Sequence, residues 1–479
     1  MASWWQDAVV YQIYPRSFQD TNGDGTGDLA GVARRLDHLA ELGAAAFWLS
    51  PVYPSPLADF GYDISAYTAI DTVFGDLDEF DALIAAAHER GIRVLMDLVP
   101  SHTSIEHPWF REHPDWYIWA PGDGPPNRWT SAFGGSAWSR DPGSGRWYLH
   151  SFFPEQADLD WRNPEVHDAM ARVMRFWLDR GVDGFRIDAL DRVMKDRLLR
   201  DDPPAREPFG LPLRGDEEQL QLIHSRNDPD IVQALAVMRA AAGDALLVGE
   251  VYLRSALVKP YLEYLDTAFA FELYQSPWQA DALRGAITRT LAAGAFAWVL
   301  SNHDFPRLVT RYGAENAASA ALILLTLPGL AFVYAGDEIG MPDGPGVQPP
   351  LDRAGRDSHR HPMQWEPGAL GGFTTGTPWL PLINAPGVSV AEQEADDDSL
   401  LGLYRRLIAL RPLLGTSLEM LDSDPAVVAY RRGDYVVAIN AGLVPVSSPA
   451  TGEVIIATRP AALAPNGKLA ANAAVITQA

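Results

Sequence analysis

Three acidic side chains stand at the ends of short apolar segments that are predicted to form β-strands. Arg186 and Asp188 are two positions apart at the end of one segment, so both point to the same face of that strand. Glu250 and Asp304 end two further segments of this kind. A guanidinium group beside a carboxylate keeps the carboxylate ionised, as a covalent nucleophile requires. This spacing indicates nucleophilic and acid–base chemistry at strand ends.

The three acids can act together only if their strands belong to one parallel barrel. In such a barrel the C-terminal ends of the strands meet at one face, and that face carries the active site. Carboxylates placed close together cannot all ionise freely, so we expect one of them to have a raised pKa and to donate a proton. The alternative for Arg186 and Asp188 is an ion pair that merely holds a loop.

The order of the predicted elements favours an α/β fold, a (β/α)8 TIM barrel. Short runs rich in β-branched and aromatic residues predict strands, and apolar residues at helical spacing predict the helices between them. The predicted strands are 9–14, 45–49, 92–98, 184–188, 245–250, 267–272, 296–300 and 330–334. The predicted helices are 29–42, 76–90, 163–180, 231–242, 280–293, 317–327 and 399–410.

Two segments depart from this alternation. Residues 104–161 are dense in Pro, Gly and Trp and lack a long helical period, so they predict a loop-rich subdomain inserted after strand 3. From residue 412 onward, polar and apolar residues alternate, which predicts a small C-terminal all-β domain. The expected domains are a barrel of residues 1–103 and 162–411, an insertion of 104–161 and a β domain of 412–479.

The composition excludes several classes of function. The 479 residues contain 38 Lys and Arg against 62 Asp and Glu, a net charge of −24, which disfavours nucleic acids and anionic membranes as partners. The absence of cysteine excludes disulfides and thiol catalysis. The N-terminus lacks the features of a signal peptide and no segment is apolar enough to span a bilayer, so we expect a cytoplasmic protein.

A loop after the first predicted strand alternates oxygen-bearing side chains. This alternation, with Gly25 allowing a sharp turn, matches the first part of an EF-hand loop, but Gly31 stands where an EF-hand has its bidentate glutamate. We therefore predict a structural Ca²⁺ site of a different type. The expected ligands are Asp20, Asn22, Asp24, the carbonyl oxygen of Thr26, and Asp28. The alternative is an Asp- and Gly-rich turn that caps helix 29–42.

With the acids placed, the sequence strongly resembles the α-amylase family of glycoside hydrolases, and within it the α-glucosidase and oligo-1,6-glucosidase group. The segments that carry the resemblance stand in the family's order: 97–102, 156–161, 184–188, 248–250, 301–304, 336–340 and the signature 356–365. Several positions depart from the group's pattern without removing a catalytic group. These are Ser101, Ala157, Asp160 and His361.

The resemblance implies roles for individual residues. Asp188 would be the nucleophile, Glu250 the general acid/base, and Asp304 the acid that stabilises the transition state. Residues implied to line the subsite for the terminal glucose are Asp59, Tyr62, His102, Phe152, Arg186, His303 and Arg360. A pair of Asp59 and Arg360 would close the pocket, which favours removal of one end residue. The Asp-rich loop matches the group's cation site.

The implied activity is that of a retaining, exo-acting α-glucosidase on small neutral oligosaccharides. Such an enzyme releases glucose from the non-reducing end of maltose-type substrates, and possible further substrates are sucrose and isomaltose. The small residue Ala189 after the nucleophile favours α-1,4 linkages in this family. One alternative is a transglucosidase or sucrose isomerase, which uses the same covalent intermediate. An alternative of another class is a non-catalytic family member.

Overall fold

Eight parallel strands form the barrel in a computed structural model that describes residues 3–204, 221–294 and 296–478. Barrel strands 1 to 8, in chain order, are Val9–Ile13, Ala46–Leu49, Arg93–Leu98, Gly184–Ile187, Leu246–Gly249, Thr267–Phe269, Phe296–Ala297 and Ala331–Tyr334. A parallel bridge between Trp298 and Ala331 joins strands 7 and 8 and closes the ring. The sequence also predicts a polar connection over residues 191–228. Its residues 205–220 lie outside the described part of the chain.

Helices surround the strands. The longer ones are Leu29–Arg34, Leu36–Leu42, Leu77–Glu89, Pro164–Asp179, Ile231–Ala242, Ala280–Ala293, Ala317–Thr326 and Leu400–Leu410, and the shorter α-helices are Pro108–Glu112, Ser255–Val258, Phe271–Tyr274, Leu308–Tyr312 and Val390–Glu394. Three expectations were wrong in detail. Predicted helix 29–42 breaks at Arg35, and predicted strand 267–272 ends at Phe269, where the chain turns into a short helix. Predicted strand 296–300 is a strand only over Phe296–Ala297.

The barrel holds the ends of its strands in fixed positions because its interior is filled with packed side chains. Val10, Trp48, Leu95, Val248 and Phe332 belong to a buried cluster of side chains drawn from several of the barrel strands. Packing of this kind fixes the strands relative to one another, so side chains at their C-terminal ends are held rigidly.

Two further units adjoin the barrel. After strand 3, His102–Ser104 pairs antiparallel with Gln156–Asp158, and a three-stranded sheet is formed by Trp119–Ala120, Trp147–Leu149 and Trp138–Arg140. At the C-terminus, a five-stranded antiparallel sheet has the order Glu419–Met420, Val427–Arg432, Tyr435–Asn440, Ala474–Gln478, Glu453–Ala457, and Val446–Ser447 pairs with Lys468–Leu469. The predicted fold class is thus confirmed. Among the described residues, no helix combines the length and apolar character needed to cross a membrane.

Candidate active site

A pocket of about 800 Å³, including its open mouth, lies at the C-terminal ends of the barrel strands. All three predicted catalytic acids line it. Its lining consists of Asp59, Tyr62, His102, Ala132, Phe133, Phe152, Asp188, Ala189, Asp191, Arg192, Arg226, Glu250, Tyr252, Asp304, Phe305 and Arg356. Its mixture of carboxylates, arginines and aromatic rings suits a small polar ligand that has apolar faces.

Arg186 connects the acids of neighbouring strands. Its side chain is fully buried, and Nη1 donates to Oδ1 of Asp188 at 2.7 Å and to Oδ1 of Asp97 at 2.8 Å. Its Nη2 forms an ion pair at 2.6 Å with Oε1 of Glu250. Arg186 therefore does more than hold a loop, because it fixes two predicted catalytic carboxylates side by side.

Ala189 orients Glu250 through the main chain. Its backbone is left-handed, with φ 44° and ψ 43°, and its amide donates to Oε2 of Glu250 at 3.1 Å. A small side chain suits this conformation, since β-branched residues are strained at positive φ. The turn after strand 4 thus supplies Glu250 with a second fixed contact besides Arg186.

The acid cluster holds its protons more tightly than separate carboxyl groups would. Burial raises the pKa of Asp188 and of Glu250, and nearby carboxylates add to the rise while Arg186 opposes it. Burial likewise raises the pKa of Asp97 to about 6. One guanidinium faces three carboxylates, so they compete for a single compensating charge and titrate as a coupled set.

Asp304 faces the same pocket from the segment that follows strand 7. Its Oδ1 accepts from Nη1 of Arg356 at 2.9 Å and from Nη2 of Arg360 at 3.2 Å. His303 lies beneath the pocket, fully buried, where its ring stacks on Tyr62 with centroids 5.5 Å apart. Burial lowers the pKa of His303 well below its ordinary value, so its ring is neutral.

The predicted pair of Asp59 and Arg360 was wrong. Asp59 instead forms a buried ion pair with Arg356, while Arg360 donates to the carbonyl oxygen of His303 at 2.8 Å and to Asp304. The two arginines flank the short 3₁₀ helix Asp357–His359. Sequence spacing alone does not show which of them reaches Asp59.

Two other predicted residues, His102 and Phe152, line the pocket in contact with each other, their ring centroids 5.2 Å apart. Sequence reasoning missed Gln156, whose Nε2 donates to Oδ2 of Asp59 at 2.9 Å and lies 2.9 Å from Nε2 of His102. It also missed two aromatic residues that line the pocket, Tyr252 and Phe305. Their positions next to Glu250 and Asp304 were the available signal.

The Asp-rich loop makes contacts of its own. Asp20 accepts from the amides of Asn22, Gly23 and Gly25 at 2.8–3.0 Å, and these bonds with that from Thr374 lower its pKa although burial opposes them. Asp28 accepts from the amide of Gly31 at 2.6 Å and so caps helix Leu29–Arg34. Within the described ranges, no three His, Asp or Glu side chains are grouped so that they could hold a metal ion. The loop therefore forms the turn that caps helix Leu29–Arg34, and the binding of Ca²⁺ to it remains a prediction.

A closed (β/α)8 barrel with paired carboxylates at its C-terminal face is an arrangement of glycoside hydrolases, which flank the scissile bond with two acids. Residues 12–414 match the family model described as the catalytic domain of alpha amylase, so the chain belongs to the α-amylase family and is a glycoside hydrolase. The resemblance seen in the sequence is confirmed.

Several relatives cover most of the chain. A probable alpha-glucosidase of Rhizobium meliloti is 41% identical across 90% of this chain and 87% of its own. An oligo-1,6-glucosidase of Parageobacillus thermoglucosidasius is 36% identical across 90% and 88%. Among solved structures, the α-glucosyl transfer enzyme XgtA matches the whole of both chains at a TM-score of 0.91 and 34% identity, and a trehalulose synthase, MutB, does so at 0.89 and 32%.

Proposed function

We propose that this enzyme is a retaining, exo-acting α-glucosidase that releases glucose from the non-reducing end of short α-glucosides. The observation that carries the proposal is that Asp188 and Glu250 pair with one guanidinium and line the same pocket. Retaining enzymes hold their two carboxyl groups about 5–5.5 Å apart, whereas inverting enzymes leave about 6.5–9.5 Å for a water molecule. Two carboxylates on the same arginine favour the shorter spacing.

The reaction follows in two steps. In the reacting form of the coupled acids, Asp188 is ionised beside Nη1 of Arg186 and Glu250 keeps the proton. Glu250 gives this proton to the glycosidic oxygen while Asp188 forms a bond to the anomeric carbon, and the aglycone leaves as an alcohol. Glu250, now ionised, removes a proton from water, and the resulting hydroxide displaces Asp188 from the anomeric carbon. Asp304, held by Arg356 and Arg360, would bind sugar hydroxyl groups near the developing positive charge.

The preference for chain ends is attributed to the wall formed by Asp59 and Arg356. This ion pair is buried, lines the pocket, and is tied to the inserted subdomain through Gln156. A sugar chain that continued past the terminal glucose would have to break it. The names of the relatives, an alpha-glucosidase and an oligo-1,6-glucosidase, also support release of single glucose units.

Transfer to a sugar instead of water is the second candidate. Two full-length structural neighbours are a glucosyl transfer enzyme and a trehalulose synthase. In this chain Tyr252 and Phe305 line the pocket and stack with their centroids 6.2 Å apart, which offers an aromatic surface to a second sugar. Incubation with maltose, isomaltose, sucrose and starch, followed by chromatography, tests both candidates. We expect glucose from maltose and little product from starch. Isomers or longer sugars as main products would favour transfer.

Arg356→Ala is expected to open the wall of the pocket, because it removes the ion pair between Asp59 and Arg356. The substitution leaves Asp59 buried without its cation, which typically costs about 3–5 kcal/mol of unfolding free energy. Because Asp304 also loses a donor, we expect kcat/KM with maltose to fall by about 100-fold. Steady-state kinetics and urea unfolding measure the two effects.

Arg353→Ala is the matched control for this substitution. Arg353 lies on the same loop and pairs with Glu155 at 2.8 Å, but both side chains are partly exposed. Exposed pairs contribute about 0–1 kcal/mol, so we expect nearly normal activity and stability. Equal effects of the two substitutions would contradict the special role of Arg356.

We also propose that Ca²⁺ binds the loop of residues 20–28 and stabilises the fold. The oxygen donors of Asp20, Asn22, Asp24, Thr26 and Asp28 have the chemistry that Ca²⁺ prefers. Calcium at 100 times its Kd would then add about 2.7 kcal/mol of unfolding free energy. We expect calcium to raise Tm, EDTA to reverse this, and Asp24→Ala to remove the response. A Tm unchanged by calcium and EDTA would contradict the proposal.

A further inference from the structure

Four side chains form a continuous hydrogen-bonded chain that includes the pocket-lining residue Tyr62. Nε2 of Gln12 lies 2.8 Å from Nδ1 of His303, and Nε2 of His303 lies 2.7 Å from the hydroxyl oxygen of Tyr62. That hydroxyl lies 2.9 Å from Oδ2 of Asp97. All four side chains are buried, so each must satisfy its polar atoms within the protein.

The chain ends on the arginine that holds the proposed catalytic acids. Asp97 accepts from Nη1 of Arg186 at 2.8 Å and from the indole nitrogen of Trp48 at 3.2 Å. Nη1 of Arg186 is also the atom that binds Asp188. A change in the hydrogen bonds that Asp97 accepts therefore changes how strongly Arg186 binds Asp97 and Asp188.

His303 has only one N–H to offer, because its ring is neutral. The ring lies between Tyr14 and Tyr62, with interplanar angles of 16° and 7°. The charged groups that face it are Arg186 from strand 4, Asp304 from its own segment, and Arg356 and Arg360 from the loop after strand 8. Oδ2 of Asp304 lies 3.4 Å from Nε2 of His303, and Asp97 from strand 3 lies beyond the hydroxyl group of Tyr62. Which ring nitrogen carries the proton then depends on the two hydrogen-bond partners.

The contacts of Asp97 set the direction of the chain. A carboxylate only accepts hydrogen bonds, so in the bond between Tyr62 and Asp97 the hydroxyl group of Tyr62 donates its single hydrogen. The oxygen of Tyr62 then accepts from Nε2–H of His303, which leaves Nδ1 as an acceptor for the amide of Gln12. In the opposite direction Tyr62 donates to Nε2 of His303, and Asp97, which the ion pair with Arg186 keeps ionised, is left without the hydrogen bond from Tyr62.

We propose that Gln12 is a positioning residue that holds His303 in the tautomer protonated at Nε2. In this tautomer every donor along the chain points toward Asp97, which stays ionised and shares Arg186 with Asp188. Loss of the Gln12 donor lets the chain reverse, so Asp97 loses the Tyr62 hydrogen bond and draws more strongly on Arg186. The consequence for catalysis rests on the proposed glucosidase function, whereas the tautomer itself does not.

The unmodified enzyme provides the first test. In a sample labelled with ¹⁵N at histidine, with the signals of His303 identified by their loss in His303→Gln, the nitrogen shifts report which ring nitrogen is protonated. We expect an unprotonated Nδ1 and a protonated Nε2 at neutral pH. A proton on Nδ1 would overturn the proposal, whether or not the enzyme hydrolyses maltose.

Two substitutions test the consequence. In Gln12→Glu, the protonated carboxyl group donates a hydrogen bond to Nδ1 of His303, as the amide of Gln12 does. The ionised carboxylate can only accept, so it favours a proton on Nδ1 and reverses the direction of the chain. We expect its kcat to fall relative to the unmodified enzyme as pH rises, by about 100-fold at the alkaline end with KM little changed. Gln12→Met removes the donor at every pH and should lower kcat uniformly.

Ser50→Ala is the matched control, because Ser50 is the other side-chain neighbour of the Gln12 amide, at 3.3 Å. We expect it to keep normal kcat and a normal pH profile. A ratio of Gln12→Glu to unmodified kcat that stays constant with pH would overturn the proposal, since a role in packing alone gives that result. If a Gln12 variant does not fold, the nitrogen shifts of the unmodified enzyme still decide.

Discussion

Asp188→Asn is expected to lower kcat with maltose by at least about 10⁴-fold while the protein stays folded. The amide has nearly the same shape as the carboxylate, but it cannot form the covalent bond to the anomeric carbon that the retaining mechanism needs. The exchange also removes a negative charge from a cluster in which three carboxylates compete for Arg186. We therefore expect no loss of stability. Steady-state kinetics and thermal unfolding measure both outcomes.

Asp183→Asn provides a matched control at the other end of the same strand segment. Asp183 precedes strand 4, where it pairs with His88 and accepts from the amide of Val94 at 2.8 Å. Residues at the N-terminal face of a barrel serve stability, so this change should leave kcat nearly unaltered. Near-normal activity of Asp188→Asn, or equal losses in both variants, would refute the assignment of the nucleophile.

The barrel could be predicted because its local signals agree with its global packing. Asp76 and Asn163 stand as N-caps before helices Leu77–Glu89 and Pro164–Asp179, and both were visible in the sequence as helix starts. The predicted strands were apolar because they are covered on both sides. The convergence of Asp188, Glu250 and Asp304 on one pocket follows from that topology.

The wall of the pocket could not be predicted in the same way. It is built from loops, whose side-chain directions are set by contacts distant in sequence. Arg356 reaches Asp59 because Asp352 binds its Nε at 2.6 Å and fixes the guanidinium, and no local pattern reveals this. The same holds for Gln156, which reaches Asp59 across 97 positions of the chain.

The backbone conformation of single residues could not be predicted from the sequence either. Ala189 was singled out for its size, but its left-handed backbone, which aims an amide at Glu250, appears only in the structure. Predicted helix 29–42 showed continuous apolar spacing although the chain leaves helical geometry at Arg35. Tertiary packing overrides local preference at such points.

Glu250→Gln is expected to lower kcat/KM with maltose by about 10³-fold, within the range of positioned acid–base catalysis. The amide cannot protonate the glycosidic oxygen, and the sugar released from maltose is a poor leaving group without that proton. A glucoside with an activated aryl leaving group needs no such help in the first step. We therefore expect a burst of the aryl product, followed by slow turnover, because water is no longer deprotonated in the second step.

The pH dependence follows from the raised pKa of Glu250. Burial keeps the group protonated above the ordinary glutamate value of about 4.3, so the acid form is present at low pH and lost as pH rises through the raised pKa. The unmodified enzyme should therefore lose kcat/KM for maltose on the alkaline side. This limb belongs to the coupled cluster, yet it should be absent for Glu250→Gln, in which the titrating carboxyl is gone.

Glu272→Gln separates this role from a general effect of losing a carboxylate that is paired with an arginine. Glu272 lies outside the pocket lining and pairs with Arg289 at 2.6 Å, so its replacement should preserve both the alkaline limb and turnover without a burst. If Glu250→Gln slowed maltose and the activated aryl glucoside equally, the lost step would not be protonation of the leaving group. If the alkaline limb persisted in Glu250→Gln, another member of the cluster would have to be the acid, and Asp304 would be the next to replace.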